Sequence, residues 1–184
     1  MSWMRACRKS VGVRIVTAAL VFGAAMPVQA DPVVPNNTAW TGDLGSSGVG
    51  AWGLAGNWLT DVTTNVVPDA TLNAILPGGP TNQTINLGSG AQAKSLFPQA
   101  DGYTIQNGDL TLADQLWLNE TSGTTSLRLS SNGTNGTVSV NTPRVTIGAD
   151  AASVRNNISL QTLTGGTASL TVTDKITIGY DGNF

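Results

Sequence analysis

The chain has 184 residues, of which 40% are hydrophobic, 11% are charged and 5% are aromatic, and it contains one cysteine and no histidine. This length predicts one domain, or one elongated unit with a leader. The absence of histidine removes Ser-His-Asp catalysis, the usual zinc sites and the commonest acid/base catalyst at neutral pH.

Residues 1–30 have the three parts of a secretory signal peptide. Four basic residues, from Arg5 to Arg14, precede an apolar run over residues 15–25, which is too short to span a bilayer as a stable anchor. The small residues at the end of the leader predict cleavage after Ala30; the alternative is a retained membrane anchor. We therefore expect export to a bacterial cell surface or the extracellular medium, with no transmembrane segment in the mature chain.

The mature chain is acidic and has no cysteine, because Cys7 lies in the leader. Four of the nine basic residues also lie there, so five basic residues remain against eleven acidic ones, a net charge of −6. Such a chain lacks the basic surface that binds nucleic acid or an anionic membrane. It also lacks the disulfide framework of many small secreted domains.

Residues 31–80 differ from the rest of the mature chain because they contain three of its four tryptophans, Trp40, Trp52 and Trp58. The terminal unit of a solenoid usually differs in sequence from the internal units because it covers the core and the strand edges of the first turn. We predict that residues 31–80 form an N-terminal cap and that the repeating strands begin near Ala74 or Thr84.

Residues 81–184 contain no window with helical periodicity, and Glu120 is the only glutamate of the chain. Short apolar-polar-apolar triplets recur instead, separated by Gly, Asn, Asp, Ser and Thr. Each triplet predicts a short strand with both aliphatic side chains on one buried face. The triplets are Ile85-Asn86-Leu87, Leu110-Thr111-Leu112, Leu127-Arg128-Leu129, Val138-Ser139-Val140, Val145-Thr146-Ile147, Ile158-Ser159-Leu160, Leu170-Thr171-Val172 and Ile176-Thr177-Ile178.

An internal repeat relates residues 138–150 to residues 170–181. With one gap, the alignment matches the triplet Val138-Ser139-Val140 with Leu170-Thr171-Val172. It then matches Val145 with Ile176, which lies 31 residues later in the chain. Sandwiches do not require such periodicity, whereas in a solenoid equivalent residues stack from one turn to the next. The sequence therefore predicts an all-β solenoid over residues 81–184.

The last residues of the chain, 170–184, continue this repeat without a cap. We expect their aliphatic side chains to face the core beside open strand edges, which can pair with another chain. Residues 31–184 alone are therefore expected to self-associate, and further turns are expected to follow in a longer native chain. The core-facing side chains are predicted to be Leu170, Val172, Ile176 and Ile178.

The cap also carries a motif series: Trp40-Thr41-Gly42, Trp52, Asn57-Trp58, Val67-Pro68 and Asn73-Ala74-Ile75. Together with the later triplets, this series resembles the entry segment and passenger repeats of bacterial autotransporter-type and related β-helical surface proteins. The resemblance covers nearly all of the mature chain. It implies a right-handed parallel β-helix, and it leaves open whether an outer-membrane barrel or a sorting tail anchors the protein.

Two groups of residues are candidate binding sites. Trp52 and Trp58 either stack on sugar rings or form a hydrophobic plug over the first turn, and the plug is the favoured interpretation. Asp150 and Asp181 occupy equivalent repeat positions, as do Arg144 and Lys175. These stacked charges either bind calcium or a uronate chain, or serve as turn and surface residues, and the second interpretation is favoured.

The sequence thus predicts no catalytic residue, no metal site and no cofactor. The first hypothesis is a secreted or cell-surface β-helical passenger, adhesin-like and non-enzymatic, whose partner is a host surface or an extracellular polysaccharide. The alternative is part of a secreted carbohydrate-active enzyme, a polysaccharide lyase or hydrolase, which rests on fold analogy.

Overall fold

A computed structural model describes residues 37–42, 45–46, 49–60, 65–80, 82–118, 124–132, 136–148, 155–163 and 165–179. The predicted signal peptide, residues 1–30, lies outside these ranges. The described residues form strands and one 3-10 turn, so the prediction of an all-β fold is confirmed. Their strands are β1 (Asn37–Trp40), β2 (Gly45–Ser46), β3 (Val49–Ala51), β4 (Trp58–Thr60), β5 (Asn73–Leu76), β6 (Thr84–Pro98), β7 (Tyr103–Leu118), β8 (Thr124–Ser131), β9 (Thr137–Ile147), β10 (Arg155–Thr162) and β11 (Thr167–Ile178).

These strands form one mostly parallel sheet. From β6 onward the chain crosses the sheet four times, and we call these crossings passages: β6 is the first, β7 the second, β8 with β9 the third, and β10 with β11 the fourth. Each passage pairs in parallel with the one before it. In one row of partners, Thr84 lies opposite Thr104, Thr104 opposite Arg128, and Arg128 opposite Ser159.

The first strands join this sheet through both kinds of pairing. β1 is antiparallel to β4 and parallel to β5, and β2 is antiparallel to β3. β3 and β5 then pair in parallel with the two ends of β6. The 3-10 turn, Ala55–Asn57, connects β3 to β4.

The core is built from aliphatic side chains that are stacked from passage to passage. One row contains Ala91, Leu110, Val140 and Leu170, which are partners in register. Leu110 and Val140 are fully buried, and Leu170 packs against the cluster while partly exposed. Burying a side chain of this size stabilises the fold by about 1.5–3 kcal/mol, so each row contributes substantially.

The register that the internal repeat predicts for β9 and β11 is confirmed in the second half of these strands and wrong in the first half. Val145 pairs with Ile176, and Arg144 pairs with Lys175, as the alignment predicted. Val140, however, pairs with Leu170 rather than with Val172, because β11 has one more residue than β9 between the two halves. A slip of two residues leaves every aliphatic side chain on the same face, so alternation cannot detect it.

The fourth passage is the least buried. Leu170 and Val172 pack against the core, as predicted. Ile176 and Ile178 lie in register with Val145 and Ile147 but remain 58% and 68% exposed. Among the described residues, no helix has the length and apolar character needed to cross a membrane.

Candidate functional site

Three tryptophans of the first strands form a tight cluster. Trp58 makes edge-on contacts with both others, at ring-centroid distances of 5.0 Å to Trp40 and 4.7 Å to Trp52. All three are at most 2% exposed. Trp58 therefore offers no open ring face to a sugar, and its position supports the interpretation as a plug.

Close packing against Gly50 holds the cluster in place. A Cβ atom at this position would lie 2.5 Å from Cζ2 of Trp40, so only glycine fits beneath the ring. The Trp40 Nε1–H donates to the backbone oxygen of Asn82 at 2.7 Å, and the Trp58 Nε1–H donates to the backbone oxygen of Trp52 at 2.7 Å. The indole N–H of Trp52 is buried and has no acceptor among the residues that the structure describes.

Trp52 differs from the other two because it also lines a cavity of about 270 Å³. Its backbone N–H donates to the oxygen of Asn86 at 2.8 Å, which fixes the turn after β3 against β6. The cavity lies between this turn, the loop that precedes β5, and a bend in β6. Its lining residues are Trp52, Gly53, Val67, Pro68, Asp69, Leu87, Ser89, Gly90, Ala91 and Gln92.

A β-bulge in β6 forms one wall of this cavity. Between Gly88 and Ala91 β6 has two residues, Ser89 and Gly90, whereas the partner strand has only one, Asp109. Gly88 and Gly90 have φ values of 67° and 73°, a conformation that glycine adopts without strain. Bulges of this kind bend a strand and redirect its side chains, and they are frequent beside binding sites.

The polar groups of the cavity are Asp69, Ser89 and Gln92. The hydroxyl and the backbone N–H of Thr71 both donate to Asp69 Oδ1, at 2.6 Å and 2.8 Å. These hydrogen bonds lower the pKa of the Asp69 carboxyl below its ordinary value, and the bond from the Thr71 hydroxyl has the larger effect. The carboxylate is thus ionised at neutral pH and is the single charged group of the lining.

The predicted charge stack is present in part. Arg144 and Lys175 are register partners in β9 and β11, whereas Asp150 and Asp181 lie outside the described residues. Arg144 also forms a salt bridge with Asp114, which the sequence analysis missed. Asp114, and to a lesser degree Asp174, raise the pKa of the Arg144 guanidinium. Arg144 and Asp114 thus form an ion pair at the surface, and Asp174 adds a weaker attraction to Arg144.

Other carboxylates that the structure describes also have hydroxyl partners. Ser139 of β9 donates to Asp109 of β7, and Ser126 of β8 donates to Asp101 in the turn that precedes β7. Within the described ranges, no three of the side chains that usually bind metals lie together. These contacts hold adjacent passages in register.

The outer face of the sheet carries two kinds of rows. Gln92, Thr111, Asn141 and Thr171 are successive partners and form a polar row. Elsewhere on this face, the rings of Phe97 and Trp117 lie 5.6 Å apart. Trp117 is the tryptophan of residues 81–184.

Comparison of the chain with protein-family models, with curated proteins and with solved structures gives no match. The cavity is a candidate site on its geometry alone. Sequence reasoning named Trp52 among its residues and missed Asp69, Ser89 and Gln92. The available signal was the pair of glycines around Ser89, since glycine inside a strand pattern often marks a bulge.

Proposed function

We propose that the chain is part of a secreted or cell-surface β-helical protein that binds and displays rather than catalyses. The observation that supports this most is the parallel, in-register pairing of the four passages. It gives a buried aliphatic interior together with an outer face of Gln, Thr, Asn and Ser side chains. An extended polar surface of this kind suits contact with a host surface or an extracellular polysaccharide.

The finer fold in this proposal is a right-handed parallel β-helix over residues 81–184. Parallel neighbours separated by 20 to 31 residues support it, since each passage must return to the same end of the sheet before pairing. Connections between parallel strands of one sheet are right-handed in about 98% of cases. In this proposal the Trp-rich strands β1 to β4 cover the first turn as part of the cap over residues 31–80.

Residues 1–30 are proposed as the signal peptide that directs export of the chain. The test is to express the full chain in a Gram-negative bacterium and to sequence the N-terminus of the product. We expect cleavage after Ala30, and we expect to recover the cleaved chain outside the cytoplasm.

The control variant is Ala30→Arg, which removes the small residue before the cleavage site and should leave the leader attached. Retention of the wild-type chain in the cytoplasm with Met1 or Ser2 at its N-terminus would overturn the proposal.

A carbohydrate-active enzyme remains the alternative prediction. Incubation with acidic polysaccharides, with and without calcium, distinguishes it from a binding protein. Release of unsaturated or reducing ends would favour the enzyme, whereas an unchanged polymer would favour the proposed function.

A further inference from the structure

We propose that an apolar row on the outer face of the sheet binds a linear, neutral polysaccharide. This inference rests on the proposed binding function and names its ligand class. The row crosses β4, β1, β5, β6 and β7, which are neighbours in the sheet in this order. We call it the outer row, and its members, one from each strand, are Leu59, Ala39, Ile75, Phe97 and Trp117.

Strand pairing places these side chains beside one another. Leu59 lies opposite Ala39, and Ala39 lies opposite Ile75. Ile75 lies opposite Phe97, whose ring centroid is 5.6 Å from that of Trp117. Because neighbouring strands lie about 4.7–4.9 Å apart, five strands give an apolar row roughly 19 Å long.

The members of the outer row point away from the core, because their neighbours along each strand are buried. Ala74 and Leu76, for example, flank Ile75 and are fully buried. The same alternation holds on either side of Trp117 in β7. Successive residues of a strand face opposite sides of the sheet. Leu59 is 43% exposed and the other members are partly exposed, so the row is open to a ligand.

Phe97 and Trp117 supply the aromatic part of the row. Both are partly exposed, unlike the three tryptophans of the first strands, which are at most 2% exposed. The indole nitrogen of Trp117 is buried, so its ring contacts a ligand through carbon atoms and not through a hydrogen bond. The C–H groups on the face of a sugar ring offer the apolar surface that such a contact buries favourably.

Beyond Trp117 the row continues into two threonines. Trp117 lies opposite Thr146 of β9, and Thr146 lies opposite Thr177 of β11. Both threonines are partly exposed, and their hydroxyls can donate and accept hydrogen bonds. A polymer along the row therefore meets apolar surface first and hydroxyl groups next. This order suits a polysaccharide, whose rings have apolar faces and hydroxyl edges.

The width of the row and the pairing of its strands favour a polysaccharide over a protein. A stable protein interface buries roughly 800 Å² on each partner, whereas the outer row is one side chain wide. A peptide that joins a sheet needs an unpaired strand edge, but β1, β5, β6 and β7 each have a neighbour on both sides. A thin polymer that binds through side chains has neither requirement.

The charges near the row favour a neutral polymer. No member of the outer row is ionisable. Arg144 and Lys175 lie two residues before Thr146 and Thr177, and Arg144 forms an ion pair with Asp114. The mature chain has a net charge of −6, which repels a polyanion. We therefore expect a neutral glycan to bind more strongly than a polyuronate.

The experiment is titration of the purified full chain with cellohexaose, xylohexaose and mannohexaose, and with methyl glucoside and hexagalacturonate. Binding is measured by saturation-transfer NMR and by tryptophan emission. We expect at least one neutral hexasaccharide to bind with Kd near ~1 mM. Methyl glucoside should bind at least about tenfold more weakly, because one ring covers only part of the row. Hexagalacturonate should bind at least about fivefold more weakly because of the net charge.

Matched variants locate the site. Trp117→Ala should weaken hexasaccharide binding about fivefold, and Trp117→Phe, which keeps an aromatic ring, should restore most of it. Leu59→Ala should weaken binding about threefold through lost apolar contact. Leu54 is similarly exposed, at 48%, but lies between β3 and the 3-10 turn, so Leu54→Ala should leave Kd unchanged. Far-UV circular dichroism confirms that each variant is folded.

Three results would overturn the inference. The first is no binding of any neutral hexasaccharide at ~20 mM, well above the expected Kd, and the second is stronger binding of hexagalacturonate. The third is unchanged glycan binding in Leu59→Ala and Trp117→Ala; if these variants also sediment as smaller species, the row is an interface between copies. Because the assays use purified protein, a failure here is distinct from a failure of export.

Discussion

Gly108 provides the sharpest stability test of the parallel stacking, because its neighbour across the ladder leaves no room for a side chain. It lies within β7 with φ of 129°, opposite Gly88 of β6. A Cβ atom there would lie 1.7 Å from the Gly88 oxygen, whereas ordinary contacts begin near 3.4 Å. We therefore expect Gly108→Ala to force the two passages apart.

The size of the effect follows from that distance. The Gly88 carbonyl must retreat by about 1.7 Å, roughly a third of the usual 4.7–4.9 Å between neighbouring strands. Losing two ladder hydrogen bonds costs about 1–3 kcal/mol, and holding alanine at positive φ adds about 1–2 kcal/mol. The expected loss in the free energy of unfolding is thus about 2–5 kcal/mol, which lowers Tm by about 4–20 °C at this chain length.

Two other glycines separate the steric cause from the conformational one. Gly90 has φ of 73° with open space around its Cβ position, so Gly90→Ala should cost only about 1 kcal/mol. Gly53 has open space and no positive φ, and Gly53→Ala should change stability by less than about 0.5 kcal/mol. Urea unfolding followed by far-UV circular dichroism measures all three. If Gly108→Ala is no more destabilised than Gly90→Ala, the stacking argument fails.

Three further predictions concern single side chains. Burial raises the pKa of Tyr103, whose hydroxyl donates to the Pro77 oxygen at 2.7 Å. The contribution of the neutral Tyr103 side chain to stability is therefore complete below about pH 10, and it is lost as pH rises above the ordinary tyrosine pKa. Tm of the wild type should therefore fall more steeply between pH 10 and 12 than Tm of Tyr103→Phe, and parallel curves would contradict this. Asp114→Ala should lower the free energy of unfolding in urea by less than about 1 kcal/mol, because the side chains of Arg144 and Asp114 are 46% and 33% exposed. A larger loss would mean that the ion pair is shielded from water. The double variant Ile176→Thr, Ile178→Thr should sediment as smaller species than the wild type at equal concentration, since it removes aliphatic groups that are 58% and 68% exposed. Unchanged sedimentation profiles would place self-association elsewhere.

Much of the fold was predictable because aliphatic alternation directly reflects a strand with one buried face. The triplet Leu127-Arg128-Leu129 is buried, exposed and buried in that order, as its pattern indicates. The match between Val145 and Ile176 predicted the register of β9 with β11. The two-residue error at Leu170 has the same origin, since alternation fixes the face but leaves the register free to slip by two.

The cavity was less predictable because it depends on residues that are distant in sequence. Trp52, Asp69 and Gln92 meet only after β3 and β5 have paired with β6. The bulge at Ser89 is a difference between two strands, so it becomes visible only when their register is known. Trp52 was identifiable as a large apolar side chain, but its lack of a hydrogen-bond acceptor is a property of the packed state.

The unequal spacing of partners along one row has a consequence for engineering. From Thr84 to Thr104 the interval is 20 residues, from Thr104 to Arg128 it is 24, and from Arg128 to Ser159 it is 31. The strands pair in parallel at all three intervals. Doubling the length of a flexible loop costs only about 0.6 kcal/mol. Foreign peptides such as epitopes are therefore best grafted between these strands, where the scaffold already accommodates different spacings.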